Sequence, residues 1–263
     1  MNVLNCDDRM NFGSRQQWVM GVIVTLMMQG VLAKDMDAEF AIRWNPNDGG
    51  PKSASDAVKQ LGITEEEKDE YSVRYFTITP PTDLPAGFTL ITRQRQNGGK
   101  NQLMIKYRSD NPLPDTINAK TWQCPLGSSA ENKYEVDISF VKKDNAKRSY
   151  SLSCSQKARD FPKTLGAIQR GCDNRMVRLK SAELKIEEWV LQPGDRRLIE
   201  VSMSGRDTQN DFDKFSMIAD KLIGLGIKPT EGSKSEAGSG SELQDCVRSW
   251  QPADGKSSST GGY

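Results

Sequence analysis

Side chains able to hold phosphate or a hard cation recur along this chain at a spacing of two. Arg93 and Arg95 are separated by one residue, as are Lys106 and Arg108, Arg178 and Lys180, and the acids Glu135 and Asp137. Single carboxylates at Glu39, Glu187 and Glu200 sit in similar alternating runs. Successive side chains on a strand point to opposite faces, so each spaced pair stands on one face of its strand. A planar guanidinium grips phosphate oxygens in two-pronged fashion and keeps its charge when buried. Carboxylates in a chain without histidine are oxygen-only ligands, which suit Mg²⁺ or Mn²⁺ rather than zinc. Hydrolysis of a phosphoanhydride asks little covalent chemistry of a protein: positioning, charge neutralisation and an activated water suffice.

Other chemistries are excluded or left without support. With no histidine a Ser/His/Asp triad cannot form. Glu187 and Glu188 are adjacent on a strand and face opposite ways, so they do not make a glycosidase pair. Asn97-Gly98-Gly99-Lys100 lacks Walker spacing and is explained by a hairpin turn. A net charge of +1, from 36 basic and 35 acidic residues, argues against a general nucleic-acid binder. Any electrostatic function must come from local segregation of charge.

Strands are the elements that must position these pairs. DMDAEFAIRW alternates, with Phe40 and Ile42 opposite Glu39, Ala41 and Arg43. Strand signals recur at 72–79, at 88–96 and 102–108 around a hairpin centred on Asn97-Gly98, and at 134–141 and 148–154. Three more follow at 175–181, 183–191 and 196–204, the last two joined by a Pro193-Gly194 turn. Helices are expected from Ser53 or Ser55 to Leu61, for a turn from Thr64, in the second half of 159–171, and from about Asp211 to Leu225.

The apolar run from Trp18 to Ala33, ending in Val31-Leu32-Ala33, reads as a secretory leader, residues 1–33, with an uncleaved anchor as the alternative. Its removal leaves Cys124, Cys154, Cys172 and Cys246, which suit two disulfides of open connectivity in an exported, periplasmic or secreted protein. Residues 34–243 then form the folded domain and 244–263, rich in Gly and Ser toward the end, a mostly flexible tail.

The charged strand faces can meet water, as in an antiparallel sheet solvated on one side. They can instead turn inward if about eight strands close into a barrel with helices packed outside. In such a lumen buried arginines need an anion and carboxylates a cation. A polyphosphate with a divalent metal satisfies both.

The order of elements resembles the CYTH superfamily, the triphosphate tunnel metalloenzymes, over roughly Asp37 to Leu243. YFTITPPTDLPAGFTLITRQRQNGGKNQLMIKYR is similar to the family segment that runs through an arginine-x-arginine strand into a lysine-ended hairpin, and LGIKPTEGSKSE to its closing signature. The resemblance implies an α+β fold built on an antiparallel, closed or nearly closed tunnel. It further implies a function of binding, with or without hydrolysis, an inorganic polyphosphate or organic triphosphate. Substrate contacts would fall on Arg43, Arg93, Arg95, Lys106, Arg178, Lys180 and Lys234. Metal ligands would fall on Glu39, Glu135, Asp137 and Glu200, with Glu39 and Glu200 as the catalytic acids and Mg²⁺ or Mn²⁺ as cofactor. The family's glutamate-x-glutamate-x-lysine start is incomplete around Glu39, and its last glutamate-x-glutamate is reduced to Glu200-Val201-Ser202. The alternative is therefore a non-catalytic envelope binding protein that keeps the barrel with a degenerate metal site.

Overall fold

The computed structural model describes residues 36–79, 87–114, 121–142, 145–239 and Cys246; the expected leader and the tail apart from Cys246 lie outside them. Among the described residues nine strands form a closed barrel: β1 (Asp37–Trp44), β2 (Glu67–Thr77), β3 (Thr89–Asn97), β4 (Lys100–Ser109), β5 (Glu131–Lys142), β6 (Asn145–Gln156), β7 (Ile168–Ser181), β8 (Leu184–Leu191) and β9 (Arg196–Arg206). Their spatial order is β1-β5-β6-β4-β3-β2-β7-β8-β9, with β9 returning to β1. The expectation of an all-antiparallel barrel needs one correction. A ring with an odd number of strands cannot alternate throughout, and the pair that breaks the alternation is β1 with β5, which run parallel.

Local chemistry accounts for the other differences from expectation. The β3–β4 turn is centred one residue later, because Gly98 (φ 51°) and Gly99 (φ 85°) take the positive φ values and Asn97 pairs with Lys100. The capping pattern at Thr64 gives no helix, since the Glu66 N–H donates to the Lys180 carbonyl (2.9 Å) and Glu67 already pairs in β2. Nor does the second half of 159–171 become helical. One 3₁₀ turn, Lys163–Leu165, stops at Gly166 (φ 53°), and Ile168 joins Thr77 in the β2–β7 ladder.

Two different coverings shield the outside of the wall. The apolar faces of β1, β5, β8 and β9 meet α1 (Ala54–Leu61) and α2 (Gln209–Gly224) in a core built around Phe40, Ile42, Phe140, Ile186, Val201 and Phe215. Ser53 caps α1 by accepting from the Asp56 N–H, and Thr208 caps α2 by accepting from the Asp211 N–H. The outer faces of β4 and β6 meet irregular chain instead. Leu103, Ile105 and Tyr107 pack under Trp122 and Leu126, and the Cys124–Cys154 disulfide fastens that covering to β6.

The chain after α2 returns to one mouth of the barrel. The Thr230 N–H donates to the Arg43 carbonyl (2.8 Å), and α3 (Lys234–Ser239) then lies against β7 and β2. A Cβ on Gly238 would stand 2.8 Å from the Tyr75 ring, so only glycine permits this approach. The Asn174 amide donates to the Gly238 carbonyl (3.2 Å), and Cys172 in β7 is bonded to Cys246 beyond the helix. No described helix is long and apolar enough to cross a membrane.

Candidate anion and metal site in the barrel lumen

Register decides what points inward. Ile42, Phe40, Ile138 and Val201 face the helices, so the alternating Glu39, Arg43, Glu135, Asp137 and Glu200 face the lumen. The hairpin follows the same rule: Leu103 and Ile105 lie under the outer covering, which turns Arg93, Arg95, Lys106 and Arg108 inward. Closure thus replaces the solvated sheet face with a charged interior.

One group of charges centres on the acids of β1 and β5. Glu39, Glu135 and Asp137 offer oxygens that lie within 4.8 Å of one another. The Lys106 ammonium reaches both Glu135 (3.2 Å) and Asp137 (3.0 Å), Arg108 reaches Asp137 (2.9 Å), and Lys133 pairs with Glu135. Among the described residues no hydrogen bond or ion pair reaches Glu39. Burial pushes its carboxyl up and Asp137 repels it, but Lys234 and Lys106 outweigh both and hold it below its ordinary value. For Asp137, burial is likewise overcome by Lys106 and Arg108.

A second group gathers around Glu187, which is 3% exposed. It accepts from Arg178 (2.6 Å), Lys234 (2.7 Å) and the Trp189 indole (3.0 Å), and Arg95 stands 3.8 Å away. Against the upward push of burial, Lys234, Arg95 and Arg178 hold its carboxyl well below the usual range. Lys234 bridges onward to Glu200 (2.5 Å), which also pairs with Arg43. The Arg43 guanidinium donates in turn to Ser139 (3.0 Å).

The cations are in excess on β3. Arg93 has no carboxylate partner among the described residues; the side-chain hydrogen bond it makes there is a weak one to the Met104 sulfur at 3.2 Å. The buried Nε groups of Arg93, Arg95 and Arg108 have nothing to donate to. Burial, with repulsion from Arg93, draws Arg95 down to about 9, so it remains charged at neutral pH.

A cavity of about 720 Å³ opens at the mouth beside α3, lined by Arg43, Arg108, Asp137, Ser139, Tyr75 and Ile91 and by residues 230–233, Ser235 and Glu236. The structure therefore brings Arg43, Arg93, Arg95, Lys106, Arg178 and Lys234 into one lumen with Glu39, Glu135 and Asp137. Glu200 faces the same lumen but is engaged by Arg43 and Lys234 rather than grouped with the three clustered acids. Lys180 lies at the opposite end, 36% exposed and paired with Glu67 (2.6 Å). Arg108, Lys133 and Glu187 belong to the charged network without having been among the residues implied by the resemblance. The signal for Arg108 and Lys133 was their two-residue spacing from Lys106 and Glu135, whereas Glu187 joins the network through its pairing with Glu200 across the β8–β9 ladder. The four expected cysteines form Cys124–Cys154 and Cys172–Cys246.

No family model and no curated protein matches the sequence. Among solved structures, the PH1012 protein of Pyrococcus horikoshii OT3 aligns with a TM-score of 0.43 and 16% identity over 77% of this chain and 99% of its own. The HpAC1 protein of Hippeastrum, described as an adenylyl cyclase candidate with a dominant triphosphatase activity, aligns with a TM-score of 0.43 and 11% identity over 74% of this chain and 91% of its own. At these identities and scores neither similarity carries weight for function, which rests on the charges inside the barrel.

Proposed function

We propose that the lumen binds a linear polyphosphate, either inorganic or as the triphosphate of an organic molecule, together with Mg²⁺ or Mn²⁺. The observation that carries this reading is the pair Arg93 and Arg95 on the lumen face of β3: each has a buried Nε with no acceptor among the described residues, and Arg93 has no carboxylate partner there. A buried cation without a partner is costly, and a phosphoryl group supplies both the charge and the acceptors it lacks. Arg43, Lys106, Arg178 and Lys234 line the same path and would share the anion's oxygens. Lys180, at the far end, would meet only a chain long enough to run the length of the tunnel.

The oxygen-only set of Glu39, Glu135 and Asp137 suits a divalent ion, and Glu39, free of direct partners, is its best-placed ligand. An ion held there would offset phosphoryl charge and lower the pKa of a bound water. Glu39 and Glu200 are the acids proposed to orient water for cleavage of an anhydride bond. Export to an oxidising compartment is the location that the two disulfides support.

One observation favours the alternative, a binding protein without turnover. Lys106 stands between Glu135 and Asp137, and Glu200 is already neutralised by Arg43 and Lys234. Phosphate release from tripolyphosphate with Mg²⁺, compared between the wild type and Glu39→Gln, separates the two readings. The enzyme reading expects turnover that falls about 100-fold or more in Glu39→Gln with binding retained. Tight binding with no release at any metal concentration assigns the barrel to the binding class.

A further inference from the structure

Tyr75 sits on β2 directly across from Arg93, is 2% exposed, and lines the cavity at the α3 mouth. Its hydroxyl is buried without a hydrogen-bond partner. For packing alone phenylalanine would serve this position as well, because the ring already contacts Gly238 and belongs to an apolar cluster with Val73, Met176 and Trp189. An unsatisfied buried hydroxyl carries the desolvation cost of a polar group and returns nothing to the free protein.

The neighbours explain why the hydroxyl finds no acceptor. Arg93 and Arg95 are donors only, and a phenol at neutral pH is itself a donor seeking an oxygen. Three donors, one phenol and two guanidiniums, thus lie on the lumen faces of β2 and β3, where Tyr75 Oη and the Nε groups of both arginines have no acceptor among the described residues and Glu187 comes no closer to Arg95 than 3.8 Å. An anion placed there accepts hydrogen bonds from the phenol O–H and from the N–H groups of both arginines at once.

We infer that Tyr75 is a ligand-binding residue of this lumen, donating its hydroxyl hydrogen bond to a non-bridging phosphoryl oxygen of the bound polyphosphate. This rests on the polyphosphate reading of the lumen and adds to it a neutral contact next to the arginines. A phenol has only two side-chain torsions, and α3 holds the ring in place, so the donor is positioned before the ligand arrives. The chemistry it selects for is a phosphoryl oxygen still unmet after the guanidiniums have bound.

Tyr75→Phe tests the assignment, with two readouts on the full oxidised protein: the Kd for tripolyphosphate with Mg²⁺ by calorimetry, and the thermal midpoint without ligand. The expected result is a Kd weakened about tenfold or more, the loss of one hydrogen bond to a charged group, with an unliganded midpoint equal to or above that of the wild type. An unchanged Kd in a protein whose wild type binds overturns the role of Tyr75 and leaves the lumen reading standing. A weakened Kd accompanied by a lowered unliganded midpoint overturns it as well, because the hydroxyl would then be structural. Absence of tripolyphosphate binding by the wild type overturns both the lumen reading and this inference.

Discussion

The two sides of the tunnel treat their charges differently. On the β8–β9 side with α3, every cation named above has a carboxylate: Lys234 meets Glu187 and Glu200, Arg178 meets Glu187, and Arg43 meets Glu200. On β3, Arg93 meets no carboxylate and Arg95 only approaches one at 3.8 Å. The first side is self-sufficient and accounts for how the barrel tolerates a polar interior. The second lacks a matching carboxylate among the described residues, and under the proposed function that deficit is where the polyphosphate binds.

The largest effect that would break this contrast is on the matched side. Glu187→Gln removes the carboxylate partner of Arg178 and the one nearest Arg95, leaves Lys234 with Glu200 alone, and is expected to cost about 3–5 kcal/mol of stability, read from urea denaturation. The carboxyl of Glu187 is held below its unfolded value, so its contribution is present above the ordinary carboxylate range. It is lost as pH falls through the depressed value. Acid unfolding of the wild type should therefore be steep at low pH, and Glu187→Gln should flatten that profile.

Arg95→Ala comes next and moves a different quantity. Tripolyphosphate affinity should fall about 10- to 100-fold by calorimetry, while the unliganded protein keeps its stability or gains some, because the repulsion from Arg93 is removed. Protonation of Arg95 sets a smaller effect. Its folded-state value of about 9 means that the anion-binding charge is fully present at pH 7 and drains away above pH 9. Affinity measured at pH 10 should be about tenfold weaker than at pH 7, and Arg95→Ala should lose most of that dependence.

The smallest effect is expected at Lys180. Its pair with Glu67 is more than a third exposed, so Lys180→Ala should change stability by no more than about 0.5 kcal/mol. Tripolyphosphate affinity should be unmoved, and only long-chain polyphosphate should bind more weakly. A large loss with the short ligand would place the anion at the other end of the tunnel.

Much of this arrangement was legible because strands obey a period of two. Alternation at Glu39, Glu135, Asp137 and the hairpin told which side chains share a face, and closure turned those faces inward together. Partner choice was not legible. That Lys234 would reach Glu187 and Glu200 depends on α3 entering the barrel mouth, a contact between residues far apart in sequence that no local pattern encodes. The parallel β1–β5 pair was hidden for a related reason, since it follows from the count of strands in the ring rather than from either strand. The Tyr75 ring belongs to a buried apolar cluster, and no local pattern marks its unpaired hydroxyl. The shifted β3–β4 turn shows the limit of dipeptide signals, because Asn97-Gly98 and Gly98-Gly99 both suit the turn, and the ladder selected the second.

The most direct test of the central claim is the thermal midpoint of the oxidised protein with tripolyphosphate, with and without Mg²⁺, against sulfate at matched ionic strength and alongside Arg95→Ala. A rise of several degrees with tripolyphosphate beyond that with sulfate, lost in Arg95→Ala, is the expected result and follows from binding to the folded state alone. An equal response to sulfate and tripolyphosphate, or a rise that survives in Arg95→Ala, would contradict the assignment of the β3 arginines as a polyphosphate site.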